Sequence, residues 1–498
     1  MISTAYNSTS ACFLTVLRER IDRIEGDRMD LFQTLLGVKD HEGNRIDTAR
    51  LKELYKKTLA IAWPSTVEGA LMSIIGSVDT MMVGTLGAAS IAAVGLTGQP
   101  RMILLLLAQA LCVGTTALCA RRKGAHDDSG ANTCLNQSLA IITVIGILMT
   151  LIGYFGAVPL MKLGGANEDT LGLSVEYFRI ISLAFLPNCW QLCICAAMRA
   201  IGKTRVTMIT NITANLINVV LNYVLINGKF GFPALGVKGA AIATACGTIA
   251  ASLICIVVVL RNGGYYHITK PRFDKVTLGG LTKVGASSMV EAVCLRIGFL
   301  MLARLIAGIG TNAFAAYQIV SQVTSLSFTL GDGVSTAGTS LVGQSLGAKR
   351  KDLAMAHAGV AYRMGIIVSI LLMTVIFLTS RQIALLFTQD EAIIRGVTVS
   401  LYVVILSMIP QNGRVVLSGV LRGAGDVKFV AYCALISVAI LRPVLTWVFC
   451  YPVADALPQF PNVAVMAPWI AFLIDSLVRD RLMANRVKRG EWLDIKLS

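Results

Sequence analysis

The chain has 498 residues, 55% of them hydrophobic and 14% charged, with a mean hydropathy of +0.70 and a formal net charge of +16. This composition is too apolar for a soluble domain built around one core, and it excludes a single soluble enzyme domain. A bilayer core about 30 Å thick takes about 20 helical residues, so the length leaves room for roughly a dozen spans plus loops and tails.

Residues 1–58 differ from the rest, with 10 basic and 9 acidic residues and no long apolar run. They read as a soluble tail. The short apolar piece from Ala11 to Leu17 has no basic residue before it and no small-residue cleavage site, which makes it a poor signal peptide; Met29 is an alternative start. Apolar windows follow at about 59–84, 96–120, 134–157, 172–197, 206–227 and 236–260, which predicts a first six-helix bundle over 59–260. A polar linker over 261–283 leads to windows at about 284–307, 319–342, 358–380, 397–420, 429–451 and 463–484. The second bundle is therefore expected over 284–484, with a C-terminal tail over 485–498.

Twelve spans put both termini on one side. Basic residues near span ends mark the cytoplasmic face. They cluster at Arg121-Arg122-Lys123, Lys203 and Arg205, Lys349-Arg350-Lys351, and along 261–283, all on the side of the termini. The opposite side holds only Lys162, Lys229, Lys238, Arg381 and Arg395. The N- and C-termini are thus expected in the cytoplasm and the protein in the cell membrane. The positive charge describes topology and gives no reason to invoke nucleic acid.

A shift of 223 residues superimposes the two halves. It carries Ser65, Val67 and Glu68 onto Ser288, Val290 and Glu291, Gly87 onto Gly310, and Gln99 onto Gln322; further along it carries Pro187 onto Pro410, Arg199 onto Arg422 and Gly202 onto Gly425. Two bundles of the same topological sense follow, related by an axis along the membrane normal, with a cleft between them.

Carboxylates inside spans are expensive and mark function. Six lie within the windows: Glu68, Asp79, Glu176, Glu291, Asp332 and Asp475. Glu176 and Asp475 lie near window ends and are expected to reach solvent. Asp332, between Gly331 and Gly333, suggests a backbone break, with Arg296 as a possible partner. Glu68 and Asp79 are 11 positions apart, about 20° in azimuth and about 16 Å in height, so they share one helix face. Pro64 precedes them and removes a helix hydrogen bond, which predicts a bend or local unwinding, a hinge beside a buried acid. In the fifth span Asn211, Asn215, Asn218 and Asn222 fall on one stripe, able to donate to a carboxylate or to offer carbonyl oxygens to sodium. Interhelical glue is the simpler role for such amides. Glu291, the repeat partner of Glu68, is the matching acid of the second bundle.

None of the four histidines lies in a span, so carboxylates must carry any proton relay. Cys189, Cys193 and Cys195 read as apolar filling rather than a metal site. Gly202-Lys203-Thr204 lacks the earlier glycine of a phosphate loop, since Ala197 stands there, and no HExxH motif is present. No enzymatic activity is expected.

These residues resemble the multidrug and toxic compound extrusion (MATE) transporters over about 50–492. The resemblance rests on Val78-Asp79-Thr80 with Gly84 and Gly87, the segment from Asn218 to Asn222, and the loop from Phe232 to Gly239. It also rests on Ala315 to Ile319, Leu341 to Gly347, and Leu421 to Asp426. It implies an all-α integral membrane protein of twelve helices in a V of two bundles, exporting organic, often cationic compounds by alternating access in exchange for protons or sodium. On this resemblance Asp79 and Glu291 match the family's acids of helices one and seven. Glu68, Asn218 and Asn222 join them as candidate coupling residues, and Gln99, Tyr317, Gln318 and Gln322 as candidate cleft residues. Asn222 stands where one branch has Asp, Tyr317 where many members have His, and helix ten has no acid. The protein is expected to work as a monomer in the bilayer on a small organic substrate, without cofactor other than the coupling H+ or Na+. A flippase of lipid-linked saccharides or other large amphiphiles is the alternative with the same architecture; the acids Glu68, Asp79 and Glu291 favour cationic cargo.

Overall fold

A computed structural model describes residues 37–38, 42–261, 264–269, 273–456 and 463–495, and its regular elements are helices. The first six spans are α1 (Thr48–Gly84), α2 (Ala88–Gly124), α3 (Asp128–Phe155), α4 (Glu168–Leu183 continuing as Phe185–Ala200), α5 (Thr204–Asn227) and α6 (Gly236–Leu260). The second six are α7 (Lys275–Ala307), α8 (Thr311–Gly347), α9 (Lys351–Phe387), α10 (Glu391–Ala424), α11 (Val427–Cys450) and α12 (Val463–Arg489). The two pieces of α4 meet at 50°. Among the described residues eight helices are long and apolar enough to cross a membrane alone, and the bent pair makes nine. α7, α8 and α12 fall short because they carry polar residues such as Glu291, Ser327 and Asp475, which the fold buries.

Packing repeats with the sequence. α1 lies on α5 as α7 lies on α11, α2 on α4 as α8 on α10, and α5 on α6 as α11 on α12. Between bundles, α1 meets α8 and α7 meets α2, a symmetry-related pair of contacts, while α2 and α8 meet at the axis. The turns after α1 and α7 also match: Gly87 and Gly310 hold φ of 104° and 146°, a region open to glycine and closed to most side chains.

Among the described residues the close approaches between the bundles lie toward the side of the termini. There, Thr66 N lies 2.7 Å from where a Cβ on Gly333 would stand, so only glycine permits the approach. Around Gly76, Gly95 and Gly98, farther along α1 and α2, no atom lies within 4 Å of a Cβ position. The bundles therefore diverge toward the side opposite the termini. The closed base is latched across the axis. Arg121 at the end of α2 donates to the carbonyl of Ala424 at 2.9 Å, and Gln344, its repeat equivalent on α8, donates to the carbonyl of Ala200 at 2.8 Å. Each uses a carbonyl left without an intrahelical partner at a helix end. Arg122 adds a 2.6 Å bond to Thr277 of the other bundle. The hydroxyl and amide of Thr277 in turn bond Asp274, the cap of α7, and hold its carboxyl below the ordinary carboxylate range.

Three sequence expectations change here. Residues up to 58 are not all a free tail: Leu51 and Leu54, in the first turns of α1, pack with Val38 and Ile46 against Ala356 and Val360 of α9. The charged residues between them occupy the outer face, as in any amphipathic helix. Met29 and the piece from Ala11 to Leu17 lie outside the described residues. α1 is helical through Pro64, with no unwinding. Thr204 Oγ1 donates to the Ile61 carbonyl at 3.0 Å, and Ile61 and Ala62 pack on Val334, Ala337 and Leu341 of α8, so neighbouring helices hold the backbone around the proline. α8 likewise runs unbroken past Gly331 and Gly333. Beyond α12, Trp492 is fully buried against the base of the second bundle.

Candidate functional site

In the first bundle α1 and α5 run side by side and pair acids with amides in one register. Asn211 Nδ2 donates to Glu68 Oε1 at 2.5 Å, and Asn222 Nδ2 donates to Asp79 Oδ1 at 2.6 Å, each partner 143 residues on. Between them Asn215 reaches Met72 at 2.9 Å. Thr207 adds a 3.1 Å bond to Glu68, and Gln191 donates to Asn211 at 2.6 Å. Asn211 and Asn222 thus each hold one of the two acids, while Asn215, on the same stripe, meets Met72 instead.

Asn218 stands between Asp79 and Thr244 of α6. With its nitrogen toward the carboxylate it donates to both oxygens of Asp79, at 2.8 and 2.9 Å, while its own oxygen accepts from Thr244 Oγ1 and N at 3.2 and 3.1 Å. Turned the other way, its nitrogen donates to Thr244 Oγ1 and its oxygen faces Asp79. Asn222 Oδ1 is buried without a partner beside them. The Asp79 carboxylate thus sits between two amides, Asn218 and Asn222, that can donate to it when it is ionised and offer an oxygen to a proton or small cation if they turn. The space next to Thr244, lined also by Arg101, Asn188 and Thr248, is only ≈ 10 Å³, the scale of one water molecule.

Glu68 and Glu291 each face an arginine. Arg199 lies 3.8 Å from Glu68 and Arg422 lies 2.6 Å from Glu291, so one repeat shift relates both acids and both bases. A cavity of ≈ 470 Å³ at the bundle interface exposes Glu68, Arg199 and Asp332 together. Asp332 is exposed there. The suggested partner Arg296 makes no ion pair among the described residues.

The second bundle holds a different centre. Asp475, expected to reach solvent, is fully buried, where it accepts from Arg442 Nε at 3.1 Å and also bonds Ser437. Burial of an acid this deep requires such partners. Ser437 sits in a π-helical stretch, Leu435–Leu441, that leads into Arg442 and Pro443. Such stretches recur at functional sites because they re-aim the side chains around them. Beside this pair opens a cavity of ≈ 510 Å³ lined by Arg414, Arg442, Arg479 and Asp332 among aromatic residues.

The expected cleft residues separate into two places. Gln99, Gln318 and Gln322 are exposed. Gln318 and Gln322 lie 11 and 7 residues before Thr329, hence on the face of α8 that meets α1 farther down, above the last contact. Tyr317, one residue earlier, is turned away from that face. It is buried in the second bundle, stacked on Trp469 with ring centres 5.3 Å apart, and lines the second-bundle cavity rather than the cleft. Cys189, Cys193 and Cys195 are buried in the main apolar core of the first bundle. Glu176, at the surface, pairs with Lys238 at 3.2 Å.

The arginine partners escaped the residue-by-residue reading, although the signal was available: Arg199 and Arg422 are repeat equivalents, as are Glu68 and Glu291. Arg414, Arg442 and Arg479 also lie inside apolar windows, where an arginine demands an interior partner.

Twelve helices in two repeated bundles, divided by a cleft and carrying buried acids paired with amides and arginines, define a multi-pass membrane transporter. The MatE family model matches residues 64–224 and again 287–448, the same interval that separates the repeats. The chain belongs to this family. It is 26% identical over 450 residues to the uncharacterized transporter YisQ of Bacillus subtilis (strain 168), covering 89% of this chain and 97% of that protein. It is 25% identical over 456 residues to the probable multidrug resistance protein NorM of Thermotoga maritima, covering 90% and 95%. Among solved structures, a MOP superfamily transporter from Pyrococcus furiosus superimposes with a TM-score of 0.80 at 22% identity, covering 89% of this chain and 97% of that one.

Proposed function

We propose that this protein is a secondary antiporter that exports organic compounds across the cell membrane in exchange for protons or sodium ions. The observation that carries the reading is the Asp79 site, a carboxylate held by Asn222 and Asn218 with the Asn222 oxygen left without a partner. Relatives named as multidrug resistance proteins support export of drug-like compounds. With Asp79 ionised, Asn218 donates to it and accepts from Thr244. Arrival of a proton or sodium ion neutralises the carboxylate, and the amide turns its oxygen toward it. The new contacts favour one arrangement of α1 against α5, and differential binding of this kind is what shifts an alternating-access equilibrium. Glu68 and Glu291, tied to Arg199 and Arg422, couple the ion site to the bundle interface, and Pro64 is the point where α1 yields. Gln99, Gln318 and Gln322 contact cargo in the cleft. The protein acts as a monomer with both termini in the cytoplasm.

Efflux from proteoliposomes under separately imposed proton and sodium gradients tests this reading, with organic cations, organic anions and a lipid-linked sugar compared as cargo. One gradient is expected to drive export of a small organic compound. Export that ignores both gradients sinks the antiport, and movement of the lipid-linked sugar alone selects the flippase. A cysteine at the exposed Leu163 should react with an impermeant thiol reagent applied to intact cells, and labelling only of inverted vesicles reverses the orientation.

A further inference from the structure

The second-bundle cavity combines size, aromatic walls and unbalanced charge. Its volume of ≈ 510 Å³ falls in the range of drug-sized ligand sites. Three arginines line it, Arg414, Arg442 and Arg479, all almost completely buried, against one lining carboxylate, Asp332. Of the other acids nearby, Asp475 is taken by Arg442 and Glu291 by Arg422. Asp480 bonds Tyr362 of α9 at 3.2 Å, away from the cavity. Arg479 Nε and Nη1 have no hydrogen-bond partner, and only 3% of this residue is exposed. A buried guanidinium with two unpartnered nitrogens is costly and calls for an anion. Trp469 Nε1, another buried donor on the wall, is also unpartnered. The aromatic residues extend the pattern: Arg414 lies 4.9 Å from the Phe328 ring centre and Arg442 4.8 Å from that of Phe472. Guanidinium groups held on aromatic faces present their edges to a carboxylate, sulfonate or phosphate, and the rings offer a slot to a planar apolar body.

We infer that this cavity binds an amphipathic organic anion with an aromatic body, its acid group on Arg479 and Arg414 and its ring system against Tyr317 and Trp469. The anion is the cargo class of the exporter proposed above, and to that extent the inference rests on that reading. The sign of the cargo is then set by the second bundle, while Asp79 in the first bundle handles the coupling cation.

The test is binding without any gradient. Naphthalene-2-sulfonate and 2-naphthyltrimethylammonium, which share a ring system and differ in charge, are titrated by calorimetry into the full-length protein in nanodiscs. The sulfonate is expected to bind at least tenfold tighter than the ammonium compound. Arg479→Gln should weaken the sulfonate at least tenfold and leave the ammonium compound unchanged. Should that variant fail to fold, Ser321→Asp places a negative charge on the cavity wall and should exclude the sulfonate equally. Equal affinity for the two compounds, or sulfonate binding indifferent to the substitution that folds, overturns the inference. Sulfonate binding that persists in Asp79→Asn supports the separation of the two sites, and its loss there overturns it. If the sulfonate binds as expected but no gradient drives its export, the antiport reading fails and the anion site stands.

Discussion

The first bundle pairs its acids with amides on a ladder between α1 and α5; the second gathers arginines among aromatic residues around a chamber of ≈ 510 Å³. One repeat folded twice has thus been put to two uses. The shift of 223 residues shows how: the positions equivalent to Asn211, Asn215, Asn218 and Asn222 are Ala434, Val438, Leu441 and Leu445, and Asp79 corresponds to Leu302. In the opposite direction, Arg414 corresponds to Gln191, which bonds Asn211 of the amide ladder. Among the described residues the Glu68–Arg199 and Glu291–Arg422 ion pairs are kept in both bundles. The Glu68–Arg199 pair lines the cavity where the bundles meet, and the divergent chemistry lies within each bundle.

The sharpest way to break this division is at Asp79. Asp79→Asn keeps the shape and the Asn222 contact but removes the titrating group, so gradient-driven transport should fall roughly a hundredfold or more, because an ion that binds both states alike shifts nothing. Efflux from proteoliposomes measures it, and full transport by this variant would return the coupling role to the second bundle. In that bundle, Asp475→Asn leaves Arg442 buried without its counter-charge and should cost about 3 to 5 kcal/mol. The loss would be read as a lower unfolding temperature, and Arg442→Gln in the same chain should restore part of it. The repeated ion pairs should not be equal. Arg422→Gln breaks a 2.6 Å bond and is expected to destabilise by about 2 kcal/mol. Arg199→Gln should cost about 1 kcal/mol or less, because Glu68 keeps Asn211 and Thr207. Equal losses would mean that the amides add nothing. A loss of similar size is expected at the base, where Arg121→Ala and Gln344→Ala each remove a bond worth about 1 kcal/mol. Together they should raise cysteine labelling of the axis from the side of the termini several-fold.

Much of this arrangement was legible in the sequence. Apolar runs of about 20 residues marked the twelve spans, and a single offset related the bundles, with a few extra residues needed only in the loop at Tyr451 to Pro461 against Gly228 to Gly236. The acid pair and the amide stripe were visible because both depend on spacing along one helix, which the α-helical period converts directly into a shared face. What stayed hidden were contacts between helices that loops connect. Whether Arg199 meets Glu68, or Arg442 meets Asp475, depends on the depth and rotation of separate helices, and no local pattern encodes those. Tyr317 shows the sensitivity: a step of one residue from Gln318 turns the side chain by about 100°, from the cleft into the interior of a bundle. The span boundaries erred for a related reason. Helices such as α1 continue past the bilayer when their polar turns find a partner, as Leu51 and Leu54 find α9.

That last contact makes α1 a lever with its two ends in different hands. Near its start it is gripped by the second bundle, through Leu51 and Leu54 on α9 and then Ile61 and Ala62 on α8. Near its far end Asp79 is gripped by the first bundle, through Asn222 on α5. If the bundles rock apart at the base, the rod must flex or one grip must slip, and Pro64, where the backbone ladder lacks a rung, lies between the two grips. Ion binding at one end would then load a shaft whose other end is bolted to the partner it has to move.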